Sequence, residues 1–361
     1  MFNRILVPLD GSTLAERAIP HAEQIARICQ STIVLLQVLD PTSYHENPNP
    51  VDPLSWQIRK TEADMYMQGI AARIRENLKG NSTDAKGTQN KDGNVIKTRV
   101  EYSILEGKTP ENIVNFAHNE NIDLLVISTH GSGGLSRWNI SSVTQKVIDL
   151  IYLPVLIVRA YNQTEAELSR VHYRKILLPI DSSRRAECSL SAGIELARGE
   201  RPAELVYQDD ALLSTSSAPS SASSRTKLIL AAVIKPPEIP IPEPYPVEIE
   251  KLSGELMNIS RQAVSYYLNE MKARLPVECE ICVLENRSVS SAIQELATQE
   301  DIDLIVLCAH GYTGESSWPY GSIARNYMEH GIKPVLIIQD VPRSSFQPTA
   351  AEIAANKTGR R

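Results

Sequence analysis

The sequence predicts an α/β protein built as two tandem, doubly wound domains. Three observations carry this expectation. First, the chain repeats itself: the run from Arg4 through Val7-Pro8-Leu9-Asp10 returns from Lys175 through Leu178-Pro179-Ile180-Asp181. Ile122-Asp123, leading to His130-Gly131, returns as Ile302-Asp303, leading to His310-Gly311, and Pro154-Val155-Leu156 returns as Pro334-Val335-Leu336. The three matches keep their order at offsets of 171, 180 and 180 residues, which marks a tandem duplication with small insertions. Second, short apolar runs alternate with helical patterns, as right-handed strand-helix-strand crossovers require. Third, the apolar runs are nearly all Ile, Leu and Val, the composition of strands buried on both faces of a parallel sheet.

In chain order, the first half predicts strands at 5–9, 32–39, 97–105, 123–128 and 155–158, with helices near 14–29, 54–79, 110–119 and 142–151. Thr109 is expected to cap the helix that begins at Pro110, since proline is favoured in a first turn. The second half predicts strands at 175–180, 227–234, 278–284, 303–308 and 335–338, with helices near 184–198, 247–274, 290–299 and 322–330. The expected domains are 1–160 and 172–340, joined by a linker at 161–171 and followed by a polar tail at 341–361. The polar stretch 80–94 reads as an inserted loop. The Ser- and Ala-rich stretch about 209–225 reads as a disordered insertion, too polar to repay ordering. The proline-rich stretch 236–246 reads as an extended connector.

A chain of 361 residues suits two domains of ordinary size. A net charge of -6 and a pI near 5.8 argue against a nucleic-acid partner, whose binders usually carry a basic face. No stretch approaches the roughly 20 apolar residues that span a bilayer, so no membrane role is expected. The first residues run straight into a strand pattern with no signal peptide, and the expected location is cytoplasmic. The cysteines, Cys29, Cys188, Cys279, Cys282 and Cys308, are odd in number and show no framework spacing, so they read as free thiols. Cys279 and Cys282 stand three apart in a strand pattern and should face opposite sides, which argues against a metal site.

In an open parallel sheet, ligands bind beyond the carboxyl ends of the strands where the winding reverses. Two loops should meet there in each half. One follows Asp10 or Asp181. The other runs from Ser128-Thr129-His130-Gly131 through nine residues to Ser141-Ser142, and from Cys308-Ala309-His310-Gly311 through nine residues to Gly321-Ser322. A glycine-bearing loop feeding a helix N-terminus can cradle an anion, and a serine at the helix start can cap the helix or donate to a phosphate.

With these residues the chain resembles the universal stress protein family in its tandem, two-domain form. Nucleotide-binding members of that family carry G-x2-G-x9-G-(S/T) after the fourth strand and an aspartate ending the first. The resemblance implies a Rossmann-like sheet in the order 3-2-1-4-5 within each half. It implies that the halves, or separate chains as a homodimer, associate through the edge strands near 155–158 and 335–338. It also implies a bound adenine nucleotide, ATP or AMP, with or without Mg2+. The nucleotide-binding residues it marks are Pro8, Asp10, Val38, Ser128, Gly131, Ser141 and Ser142 in the first half. In the second they are Pro179, Asp181, Val233, Cys308, Gly311, Gly321 and Ser322. The pattern departs at Ser128 and Cys308, which replace its first glycine, and at Ser141, which replaces its third. Glu315 adds an acid to the second loop, where the first half offers Arg137 and the second has Ser317.

Other readings are weaker. Gly107-Lys108-Thr109 looks like the end of a P-loop, but Tyr102 stands where its glycine belongs. His130 and His310 read as loop-ordering residues, because no nucleophile with an orienting carboxylate is evident beside them. Trp138 and Trp318 read as packing residues, and Asp10 lacks clustered acids for a metal. The resemblance implies nucleotide-dependent stress sensing or regulation rather than an enzymic function. The alternatives are a nucleotide-free interaction module of the same fold and a slow ATP hydrolase.

Overall fold

The computed structural model describes residues 1–41, 52–79, 99–131, 140–160, 171–199, 226–240, 245–312 and 320–340. The stretches 80–94 and 209–225, the tail and nearly all of the linker lie outside the described residues. In the first half the elements are β1 (Arg4–Leu9), α1 (Thr13–Glu16), α2 (Ile19–Cys29), β2 (Thr32–Leu39), α3 (Pro53–Lys79), β3 (Val100–Glu106), α4 (Thr109–Asn119), β4 (Leu124–Ser128), α5 (Ser142–Leu150) and β5 (Val155–Val158). The second half continues with β6 (Lys175–Pro179), α6 (Cys188–Arg198), β7 (Lys227–Ile234), α7 (Val247–Arg274), β8 (Cys279–Glu285), α8 (Val289–Gln299), β9 (Leu304–Cys308), α9 (Ser322–His330) and β10 (Val335–Ile338).

Three local expectations need correction. The helix expected over 14–29 is two helices, α1 and α2, because Pro20 has no N–H to give to the carbonyl of Glu16 and the ladder cannot pass through it. The helix expected from 184 begins at Cys188. The residues before it are held by tighter bonds, such as Cys188 N–H to the Arg185 carbonyl at 3.0 Å. Thr109 is not a cap. Gly107, at φ +122°, turns the chain early, so Lys108 is the N-cap and Thr109 is already helical. Pro110 then sits in the first turn, where its missing N–H costs nothing.

All ten strands among the described residues form one sheet, in the order β3-β2-β1-β4-β5-β10-β9-β6-β7-β8. Each half thus has the order 3-2-1-4-5, and every pair within a half is parallel. The halves join through β5 and β10, which run antiparallel with Leu156 opposite Leu336. The strands of the two halves therefore point in opposite directions, and their carboxyl ends open on opposite edges of the sheet. Both β5 and β10 are paired on both sides, so neither leaves a free edge through which a second chain could extend the sheet.

Alternate strand residues feed two cores that run the length of the sheet. On one face Ile5, Leu35, Val126, Leu156, Leu336 and Leu230 pack with α2, α3, α6 and α7. On the other, Leu6, Leu36, Ile127, Ile157, Ile337 and Ile229 pack with α4, α5, α8 and α9. Burying each such side chain contributes about 1.5–3 kcal/mol. Cys279 joins the first core while Cys282 packs against the second, so the C-x-x-C pair is split across the sheet. The repeated Ile-Asp motif has a structural task. Asp123 Oδ2 accepts from the N–H groups of Asn3 at 2.8 Å and Arg4 at 3.0 Å, and Asp303 Oδ2 does the same for Arg174 at 2.7 Å and Lys175 at 2.9 Å. Each aspartate fastens the start of its half's first strand to the start of the fourth. No helix among the described residues is long and apolar enough to cross a membrane.

Side chains also tie the halves together. Arg159, fully buried past the end of β5, donates to the Tyr327 carbonyl of α9 at 2.5 Å. His21 of α2 is buried with its Nδ1 2.8 Å from the hydroxyl of Tyr173, just before β6. Burial pushes His21 down to about 4 from an ordinary 6.5, so it is neutral in the fold. The unfolded chain takes up a proton as pH falls below 6.5, whereas the folded chain does not until about 4. His21 therefore supports the fold fully above that window and loses its contribution within it. Urea unfolding of wild type and His21→Gln should show the wild type losing about 3 kcal/mol relative to the variant between about pH 7 and about pH 4. A difference that does not change with pH would contradict this.

Candidate functional site

The crevice arises where the ladders stop. β1 and β4 pair only at Ile5↔Leu124 and Leu6↔Leu125, and β6 and β9 only at Ile176↔Leu304 and Leu177↔Ile305. Just beyond, Pro8 and Pro179 have no N–H with which to extend a ladder. The released strand ends lie at the reversal of strand order, where an open α/β sheet presents its ligand crevice. On the other side of β1, pairing with β2 ends at Gln37, and β6 pairs with β7 as far as Ala231. Val38 and Val233 thus stand beyond the ladder on the crevice side of their strands.

Asp10 and Asp181 follow the central strands. Asp10 Oδ1 accepts from the N–H of Ser12 at 3.0 Å and from its hydroxyl at 2.6 Å, and Asp181 Oδ1 accepts from the N–H of Ser183 at 3.0 Å. The residue between is left-handed in both halves, Gly11 at φ +83° and Ser182 at φ +63°. Glycine adopts this freely, while Ser182 bears a cost of about 1–2 kcal/mol. Ser12 and Ser183 then accept from the N–H groups of Ala15 and Ala186, each at 3.1 Å.

The second carboxylate oxygen reaches across to the glycine loop. Asp181 Oδ2 accepts from the N–H of Tyr312 at 2.5 Å. A Cβ on Gly311 would collide with Asp181 Oδ2, and one on Gly131 would collide with Asp10 Oδ2. The loop pattern by itself predicts that these glycines admit a phosphate. In the fold the close approach is made by the chain's own carboxylate, which reaches from the end of the first strand of each half to the loop after the fourth.

The two loops end on the same backbone bond and differ in their caps. The N–H of Ser141 donates to the Thr129 carbonyl, and that of Gly321 to the Ala309 carbonyl, both at 2.8 Å. Ser141 caps α5. Its oxygen accepts from the Thr144 N–H at 3.1 Å, its hydroxyl donates to Thr144 Oγ1 at 2.9 Å, and Thr144 in turn donates to the Ser128 carbonyl at 3.0 Å. Gly321 supplies no side-chain cap to α9, so the first turn of that helix keeps its anion-attracting character. Ser142 and Ser322 are the exposed first residues of α5 and α9. Arg137, Trp138, Glu315, Ser317 and Trp318 lie outside the described residues.

The equivalent histidines are both buried but held differently. His130 Nδ1 lies 2.9 Å from Thr129 Oγ1, whereas His310 Nδ1 lies 2.6 Å from Asp340 Oδ1. Arg185 Nε approaches the other Asp340 oxygen at 3.7 Å. Sequence reasoning found no carboxylate to orient either histidine, and Asp340 is one. It follows β10, 30 residues from His310, and only the pairing of β9 with β10 brings the two together. Cys308, a free thiol that stands in place of the pattern's first glycine, also has a partner that the sequence does not reveal. Its sulfur lies 3.1 Å from that of Cys188 at the start of α6, and the neighbouring thiol together with burial pushes Cys308 up.

The model of the universal stress protein family matches residues 1–159 and, again, 172–339. The chain belongs to the universal stress protein family. One universal stress protein of Methanocaldococcus jannaschii is 28% identical over 159 residues, spanning 44% of this chain and 83% of that protein. A second from the same organism is 27% identical over 174 residues, spanning 45% of this chain and 98% of that protein. Each thus matches about one half of the tandem chain. The crystal structure of a universal stress protein from Archaeoglobus fulgidus shares the fold, with a TM-score of 0.55 and 13% identity, over 94% of this chain and all of that one.

The contact between aspartate and glycine can be tested without any ligand. Gly311→Ala should destabilise the fold by about 1–3 kcal/mol, as overpacking does. In an Asp181→Ala background the same change should cost less by at least about 0.5 kcal/mol, because the clashing oxygen is gone. Urea unfolding of the four proteins measures the coupling, and strictly additive effects would disprove the contact.

Proposed function

We propose that this tandem universal stress protein binds an adenine nucleotide, ATP or AMP, in at least one of its two crevices and uses occupancy to sense or regulate a stress response. The observation that carries this reading is the early end of the β1–β4 and β6–β9 ladders, which opens a crevice beside an aspartate in both halves. Val38 or Val233 would meet the base with its backbone, Asp10 or Asp181 the adenosine end, and the start of α5 or α9 the phosphates. The second half is favoured, because Gly321 leaves the start of α9 without a side-chain cap whereas Ser141 occupies the start of α5. Mg2+ would accompany the phosphates rather than be held by a protein cluster.

A nucleotide-free interaction module is the second reading. It draws on the way Asp181 already takes backbone donors from Ser183 and Tyr312, and on the engaged hydroxyl of Ser141. Titration calorimetry with ATP and AMP, with and without Mg2+, separates the two. Nucleotide binding should appear in the wild type and weaken about tenfold, or about 1.4 kcal/mol, in Asp181→Ala. The absence of heat, of thermal shift and of any co-purified nucleotide would favour the module. A turnover assay on the same samples addresses slow ATP hydrolysis.

A further inference from the structure

Cys188 and Cys308 lie 120 residues apart in sequence, yet their sulfurs are 3.1 Å apart, inside the van der Waals contact of two sulfur atoms. Cys308 ends β9 and Cys188 opens α6, so the pair bridges the base of the second crevice to the helix that follows Asp181. Each is partly accessible, and neither is in a disulfide. The C-x-x-C cysteines do not compete as a pair, since Cys279 and Cys282 sit on opposite faces of the sheet. The first half carries Arg17 and Ser128 at the corresponding positions, so the duplication supplies an internal comparison that lacks both thiols.

We propose that Cys188 and Cys308 form an oxidative modification site, closing to a disulfide on exposure to a hydroperoxide and reopening with a thiol reductant. Closing the pair needs the sulfurs to approach to about 2.05 Å, a movement of about 1 Å that side-chain rotation can supply. In the first step the Cys188 thiolate attacks the peroxide; the O–O bond breaks, a sulfenic acid forms on Cys188, and water or an alcohol leaves. The Cys308 sulfur then attacks the Cys188 sulfur; the S–S bond forms, the S–O bond breaks, and the hydroxide leaves as water with the Cys308 proton. The two thiols together lose two electrons and two protons, and the peroxide is reduced. The balance is the same if the two sulfurs exchange roles.

This inference does not depend on nucleotide binding. The test is to treat the full-length chain with hydrogen peroxide and measure intact mass and free thiols. Two of the five thiols should be lost with the loss of two hydrogens in mass, a peptide containing the Cys188–Cys308 link should appear, and dithiothreitol should reverse all three changes. Cys188→Ser and Cys308→Ser should each abolish the link, while Cys29→Ser should keep it. The wild-type peptide map alone decides the matter if either variant fails to fold. Retention of all five thiols, oxidation to sulfinic acid without a link, or a link between any other pair would overturn the proposal.

Discussion

The antiparallel seam between β5 and β10 is the constraint on which the rest of the molecule depends. Each half alone would end in an edge strand with unpaired backbone groups, a liability in any open sheet. Pairing Leu156 opposite Leu336 removes both edges and makes one ten-stranded sheet. The two apolar cores then run unbroken across the seam, with Val155 and Ile157 meeting Val335 and Ile337 on one face, and Leu156 meeting Leu336 on the other. The same pairing points the halves in opposite directions, so the two crevices are physically separate.

Around each crevice the governing effect is a shortage of room. β1 and β4, or β6 and β9, part after two residue pairs, and their ends are bridged by an aspartate that leaves no space for a Cβ on the facing loop. This explains why Gly131 and Gly311 recur even though the first glycine of the family pattern is lost in both halves and the third in the first half. Ser128 and Cys308 occupy strand ends where a side chain fits, and Ser141 turns its own side chain to a helix cap. The copies thus share a scaffold while differing in the chemistry at its rim: an engaged hydroxyl in the first, an uncapped helix and a thiol pair in the second.

Much of this was legible in the residues. The repeat, the Ile, Leu and Val runs and the strand-end aspartates were enough for the fold class and for most element boundaries, because burial on both faces of a parallel sheet demands that composition. Local bonding was less legible. Pro20 divides a helix that its apolar pattern runs through, and Gly107 starts α4 one residue early. Those outcomes turn on single backbone donors and a single φ angle, which hydrophobic periodicity does not encode.

Two copies of one α/β unit, and the loops at the carboxyl ends of their strands, can be read from the residues, since periodicity and duplication are properties of the chain. Which distant groups meet is set by the folded chain. The partners His310 and Asp340, Cys188 and Cys308, and His21 and Tyr173 lie 30, 120 and 152 residues apart. No spacing rule links such positions, because their distance is set by strand order and by the seam between the halves. The glycines belong to both accounts: the sequence marked Gly131 and Gly311 as positions of close approach, and the fold showed that the approaching group is the chain's own aspartate.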